Sequence, residues 1–258
     1  MNLQKQDLLG TIQPYPLIGK CFSEYIIWIC DNVKQRDLKN YDLISILNEK
    51  DFQKIQRLEN LLEKSRCILG VSESDFSQMF GFRDDLLVAD PEKVHDVLEE
   101  PLLVVDLDKY GFSHIQKIPR SFKVQNNLMP VADFIATLKS DKFAIELKTI
   151  RTESWAEDGK VIGGPIPSWW RKMFRNNAIT KIEDKDRRVL AQLQSTATHY
   201  GCHSIMLVLS TRRLGPSTLM SPTAYIEELE FLKGSYPEID YFCSKDYFGT
   251  TVFYPELL

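Results

Sequence analysis

The stretch that decides the fold is Pro130-Val131-Ala132-Asp133-Phe134-Ile135-Ala136-Thr137-Leu138, then Lys139-Ser140-Asp141-Lys142, then Phe143-Ala144-Ile145-Glu146-Leu147-Lys148-Thr149-Ile150. Two β-favouring runs joined by a short polar segment read as a hairpin. Side chains alternate along a strand, so Glu146 and Lys148 share one face, and Phe143, Ile145 and Leu147 the other. A two-residue turn at Ser140-Asp141, or a four-residue loop from Lys139 to Lys142, pairs Leu138 with Phe143. Asp133 then lies opposite Lys148, and Ile135 opposite Glu146. Opposite residues are about 5 Å apart and diagonal ones about 7–8 Å, so Asp133, Glu146 and Lys148 converge. A three-residue loop would send Asp133 to the other face, so the constellation requires an even-length turn.

Two carboxylates at that separation suit a hard divalent cation such as Mg²⁺, which prefers oxygen ligands. Such an ion neutralises a phosphodiester oxygen and acidifies water, and a lysine beside it can orient that water or meet developing negative charge. The plain alternative is a cross-strand ion pair of Asp133 with Lys148, with Glu146 a bystander. Against it, Glu146 and Lys148 interrupt an apolar, β-favouring run, where charges are costly.

Pro130…Asp133 followed by Glu146-Leu147-Lys148 resembles the motif of the PD-(D/E)xK nuclease superfamily. Two residues separate Pro130 from Asp133, so the first half of the motif departs from the family's adjacent pair. The resemblance covers roughly residues 101–210. It implies an α/β (α+β mixed-sheet), restriction-endonuclease-like core: a helix, a three-stranded meander, a second helix and a further strand. It also implies Asp133 and Glu146 as ligands of Mg²⁺, with Mn²⁺ as substitute, the Leu147 backbone carbonyl as a further ligand, and Lys148 as the residue assisting the water. Members often carry one more acid on the helix before the meander, and Glu99 or Glu100 is the candidate here. Both stand among eleven acids and two bases in residues 72–108, a density that otherwise reads as a solvated face.

The chain after the motif has the order that the resemblance implies. Residues 183–200 carry Val189, Leu190, Leu193, Ala197 and Tyr200 near helical spacing, Gly201 is a stop signal, and residues 203–209 read as a buried strand. Gln192, Ser195 or Thr196, and His199 form a polar stripe on that helix, with Gln192 a candidate auxiliary site residue. Residues 152–180 are an insert containing Trp155, Trp169, Trp170 and Phe174. From Arg171 to Arg188 there are seven bases and three acids. Cations meet phosphates and aromatics stack on bases, so Trp169, Trp170, Arg171, Lys172, Arg175, Arg187 and Arg188 form the candidate nucleic-acid surface. The alternative is two tryptophans capping the core with a basic solvated rim.

At 258 residues and a formal net charge of −4, the chain is not a globally basic binder, so binding of a polyanion must come from a local patch or metal bridging. Five cysteines without a Cys-x-x-Cys pair suggest reduced thiols in the cytoplasm and argue against zinc or iron–sulfur sites. No membrane partner is expected: the apolar run 25–30 is too short to span a bilayer, and no signal peptide is evident. The first ninety residues read as a helical region packed on the core, with Phe22, Tyr25, Ile26, Ile29 and Cys30 on one helix face and Gly70 ending another helix. Residues 91–258 read as the nuclease-like domain, closed by a helix at 222–233 and a strand at 250–254.

The resulting expectation is a metal-dependent endonuclease of restriction or defence type acting on double-stranded DNA, for which a homodimer would suit cleavage of both strands. The competing classes are an RNA-directed nuclease, a catalytically silent nucleic-acid-binding or regulatory protein on the same fold, and an α/β interaction protein in which the motif is coincidence.

Overall fold

The computed structural model describes residues 3–32, 42–80, 91–119, 121–124, 127–150, 168–184, 189–211, 222–245 and 251–257. The chain divides into two compact units, Met1–Gly111 and Phe112–Leu258. The division falls after Gly111, so the helix expected to open the second domain belongs to the first unit.

The first unit is helical: α1 (Leu3–Ile12), α2 (Pro16–Asn32), α3 (Asp42–Asn48), α4 (Phe52–Leu69), α5 (Glu73–Phe80) and α6 (Pro91–Lys109). Of the apolar positions of α2 anticipated from spacing, Phe22, Tyr25, Ile26 and Ile29 are buried and Cys30 is half-buried. Helix α4 ends at Gly70, whose φ of 65° is the left-handed conformation that glycine adopts without strain. Spacing puts Phe52, Ile55, Leu58, Glu59 and Leu62 on one stripe of α4, of which Ile55 and Leu62 are buried while Phe52 is 57% exposed. The polar member of that stripe, Glu59, is buried for a specific reason. Its two carboxylate oxygens accept the N–H groups of Leu17 and Ile18, each at 2.9 Å. The first turn of α2 has orphan donors, and a carboxylate at a helix N-terminus is favoured by the dipole. Cys21, one turn further on, has its thiol pushed up to about 12 by burial and by the charge of Glu59, so it stays protonated. Glu59→Ala is expected to destabilise the protein by about 1–3 kcal/mol by stranding two buried N–H groups. Glu59→Gln, which keeps one acceptor, should lose less, and urea unfolding of the three proteins reads the difference.

The second unit is a mixed α/β layer. Its elements are β1 (Phe112–Lys117), β2 (Ser121–Val124), β3 (Asn127–Pro130), β4 (Phe134–Leu138), β5 (Asp141–Thr149), α7 (Ser168–Glu183), α8 (Val189–Tyr200), β6 (Ser204–Ser210), α9 (Pro222–Ser235), β7 (Tyr241–Lys245) and β8 (Thr251–Tyr254). Six strands form one sheet in the order β1-β4-β5-β6-β7-β8, and β2 with β3 forms a separate two-stranded hairpin. β5, β6 and β7 run parallel, while β1–β4, β4–β5 and β7–β8 are antiparallel. β5 is buried at every position from Phe143 to Thr149, as a strand covered on both faces must be. Ala144, Leu207, Leu209 and Phe242 on the face shared with Glu146 pack with Phe174, Ala178 and Leu193 of α7 and α8.

Three sequence expectations are corrected here. The β4–β5 connection is a two-residue turn, Lys139-Ser140, so Leu138 pairs with Asp141 rather than with Phe143. Asp141 and Lys142 enter the strand because β6 and α8 hold them. Ser204 Oγ donates to Asp141 at 2.5 Å, the His203 N–H to the Lys142 carbonyl at 2.8 Å, and Lys142 Nζ to the Tyr200 carbonyl at 2.7 Å. The register therefore slips by two residues, which keeps every side chain on its expected face but sets Asp133 level with Glu146, not Lys148. The insert is also not loop throughout. From residue 168 it is helix α7, and Phe174 is a core residue packed edge-on against Tyr225 at 5.8 Å. Residues 183–200, read as one helix, divide into the end of α7 and α8.

Candidate active site: an acid pair flanked by two lysines

Asp133 sits just before β4, at the point where the strand's own backbone ladder to β5 starts. Its side chain extends that ladder: the Leu147 N–H donates to Asp133 Oδ2 at 2.9 Å. On the other side the Ile118 N–H donates to the Asp133 carbonyl at 2.9 Å. The residue is thus tied to the strands on both sides of it. Helix α8 fixes the preceding segment, because Thr196 Oγ1 accepts the Ala132 N–H at 2.8 Å and Gln192 Nε2 donates to the Val131 carbonyl at 3.2 Å.

Glu146 and Lys148 lie two apart on β5 and are both buried. Lys148 Nζ donates to Glu146 Oε1 in a close contact. Glu146 Oε2 has no hydrogen-bond partner among the described residues, and neither has the buried Oε1 of Gln192. Buried polar atoms are nearly always paired, so an orphaned carboxylate oxygen in a strand interior asks for a reason. Burial, reinforced by the charge on Asp133, pushes the Glu146 carboxyl up to about 8, with Lys148 and Lys117 pulling the other way.

Lys117 was not anticipated from the sequence. It closes β1, pairs with Phe134, and its Nζ lies 3.4 Å from Asp133 Oδ1 and 4.7 Å from the Phe134 ring centre. A register shift between Ser113 and Gln116, with His114 at a φ of 49°, precedes it. That bulge breaks the alternation from which the lysine's partner could have been read.

The remaining candidates are distributed as follows. Glu99 is buried and Glu100 half-buried on α6 of the first unit. Leu147 contributes its N–H to Asp133. Arg171 and Arg175 turn to α9, where the fully buried Glu228 takes Arg171 Nε and Arg175 Nε at 2.8 Å each. Arg171 also reaches Glu227 at 2.5 Å, and Arg175 stacks 3.7 Å from the centre of the Phe231 ring. The carboxylates of Glu228 and Glu227 hold the Arg171 guanidinium above its ordinary pKa. Lys172 is exposed. Trp169 and Trp170 begin α7, with their side chains outside the described residues, as are Trp155, Arg187 and Arg188 altogether.

No group of three or more His, Cys, Asp or Glu side chains placed to hold a metal occurs among the described residues. What this site offers is two carboxylates. The donor set still fits a hard divalent cation: it is all oxygen, one of the oxygens is orphaned, and such ions commonly complete their shell with water and substrate phosphate.

The chain matches no protein-family model, no curated protein and no solved structure. The class that fold and site define is a mixed α/β protein whose six-stranded sheet carries a buried Glu and a half-buried Asp between two lysines. Among the described residues no helix is long and apolar enough to cross a membrane.

The raised Glu146 carboxyl has a signed consequence. Between its ordinary value of 4.5 and about 8 the folded protein retains a proton that the unfolded chain releases. Stability from this group is complete below the lower value and erodes as pH rises through the window, at up to about 1.4 kcal/mol per pH unit. Glu146→Gln removes the titration, so its stability relative to the native chain should grow across the same interval and level off above it. Urea midpoints of both proteins at three pH values bracketing the window check this.

Proposed function

We propose that this chain is a metal-dependent phosphodiesterase of the PD-(D/E)xK type, cutting DNA as an endonuclease in a restriction or defence setting. The observation that carries the reading is the burial of Glu146, with one oxygen orphaned, beside Asp133 and Lys148. An interior strand position holds an acid there at a cost that a structural role does not explain. The strand order adds support: β1, β4 and β5 form an antiparallel meander, two helices follow, and β6 returns parallel to β5.

Asp133 and Glu146 would hold Mg²⁺ or Mn²⁺, with the Leu147 carbonyl as the resemblance implies. When bound, such an ion supplies charge neutralisation on a phosphodiester oxygen and acidifies water. The protein's own groups have separate tasks. The Leu147 N–H keeps the Asp133 carboxylate in one orientation, so that no reorganisation is needed as charge develops. Lys148, anchored on Glu146, presents an ammonium whose remaining N–H donors can orient the attacking water and meet the phosphate. Gln192, held by the Val131 carbonyl, keeps α8 against the segment that carries Asp133 into β4. For substrate binding, exposed Lys172 is the better-placed member of the α7 basic set, because Arg171 and Arg175 are already paired with Glu228.

A second reading is a catalytically silent binding or regulatory protein on the same fold. It is favoured by the balance of charge within the site, where Lys117 and Lys148 already face the two carboxylates.

Incubation of the purified protein with supercoiled plasmid, single-stranded DNA and RNA, each with Mg²⁺, Mn²⁺ or EDTA, separates the two. Cleavage is expected with metal only, and Glu146→Ala or Asp133→Ala should reduce it by at least roughly a hundredfold. Lys148→Ala should lose most activity and retain measurable metal binding. Equal cutting by all three variants sinks the assignment. Metal-independent binding without cleavage points to the second reading.

A further inference from the structure

We propose that Lys117 is an exchangeable counter-ion: it balances Asp133 when no divalent cation is bound, yields Asp133 Oδ1 to the cation, and then meets a phosphate of the polyanion. The inference rests on the phosphodiesterase reading of this site and names what couples cation to substrate.

The argument starts from which oxygens are engaged. Asp133 Oδ2 is committed to the Leu147 N–H at 2.9 Å, so the freer lone pairs of this carboxylate are on Oδ1. That atom is the one Lys117 faces, with Nζ at 3.4 Å. The separation is long beside the roughly 2.7–2.9 Å of a strong charge-assisted hydrogen bond, so the tie is loose. Glu146 is arranged differently. Lys148 occupies its Oε1 and leaves Oε2 orphaned, so a cation taking that oxygen releases the carboxyl proton and displaces no lysine. Competition between protein cation and metal cation is therefore concentrated at Asp133.

The lysine is built to move only at its head. Its backbone pairs with Phe134, and the next residue, Ile118, is bonded through its N–H to the Asp133 carbonyl at 2.9 Å. The ammonium also lies 4.7 Å from the Phe134 ring centre, inside the roughly 6 Å reach of a cation–π contact. The ring is a second seat for the released charge beside the site. With both carboxyls ionised, two acids and two lysines sum to zero, so a bound divalent cation leaves the cluster at +2. That excess calls for an anion, and a phosphodiester backbone provides it. Cation and polyanion then favour each other, each raising the other's affinity by the same factor.

Two titrations of the full chain test this. Calorimetry with Mn²⁺ in the absence of nucleic acid is compared for the native protein, Lys117→Met and Lys117→Arg. Anisotropy of a labelled phosphorothioate DNA duplex is then measured with and without Mn²⁺. Lys117→Met should bind Mn²⁺ roughly three- to tenfold more tightly than the native chain, because a like charge has been removed beside the ligand. The gain in duplex affinity that Mn²⁺ gives the native protein should shrink by a similar factor in the same variant. Lys117→Arg, which keeps the charge, should behave as native in the first titration. Lys117→Gln carries the same expectation as the methionine variant and replaces it if that protein lacks a thermal transition. Unchanged or weaker Mn²⁺ binding in both neutral variants, with native binding intact, overturns the counter-ion role and leaves the phosphodiesterase reading standing. Absence of any Glu146-dependent Mn²⁺ binding in the native chain overturns both.

Discussion

Where β4 begins, a side chain takes the place of a main-chain rung: the Leu147 N–H is satisfied by Asp133 Oδ2. This bond holds the first carboxylate against β5 and directs its other oxygen toward Lys117. It also places a negative charge close to Glu146, which together with burial keeps that carboxyl protonated far above the usual carboxylate range. Remove the aspartate and a buried strand loses an acceptor at the same time as the site loses a ligand. Structure and candidate chemistry are therefore carried by the same few atoms, and neither can be altered without the other.

How much of this was legible in the sequence depended on locality. The hairpin was, because two β-branched and aromatic runs flank a polar tetrad. Its face assignment survived because the actual turn is shorter than the expected four-residue loop by an even number of residues. The exact pairing was not legible, since Asp141 and Lys142 look like turn residues until Ser204 and the Tyr200 carbonyl are brought to them from about sixty positions away. Lys117 was invisible for a similar reason. Its approach to Asp133 depends on a bulge around His114, and a bulge leaves little trace in a single chain.

The basic helix α7 teaches the complementary point. Arginines near tryptophans suggested a polyanion surface, yet Arg171 and Arg175 are drawn to Glu228, a carboxylate with no exposure of its own. A buried acid must be paired and hydrogen-bonded or neutralised, and two planar guanidiniums fill its oxygens well. Composition counts charges but cannot say which of them are already answered within the fold. The pattern of acids on α9, at Glu227 and Glu228, was the available clue, and it is meaningful only once α9 is known to pack on α7.

The hairpin β2–β3 lies in the chain between Lys117 and Asp133, outside the main sheet. The bond from Ile118 to the Asp133 carbonyl shuts the base of that excursion. Val131 and Ala132, just inside the base, are tied to α8, and closing a longer loop beyond these anchors adds only a slowly growing entropic cost. The segment is thus a natural place for the chain to gain or lose length over evolutionary time. A reporter peptide or a targeting module spliced between β2 and β3 would leave in place the Ile118 and α8 anchors that hold Asp133.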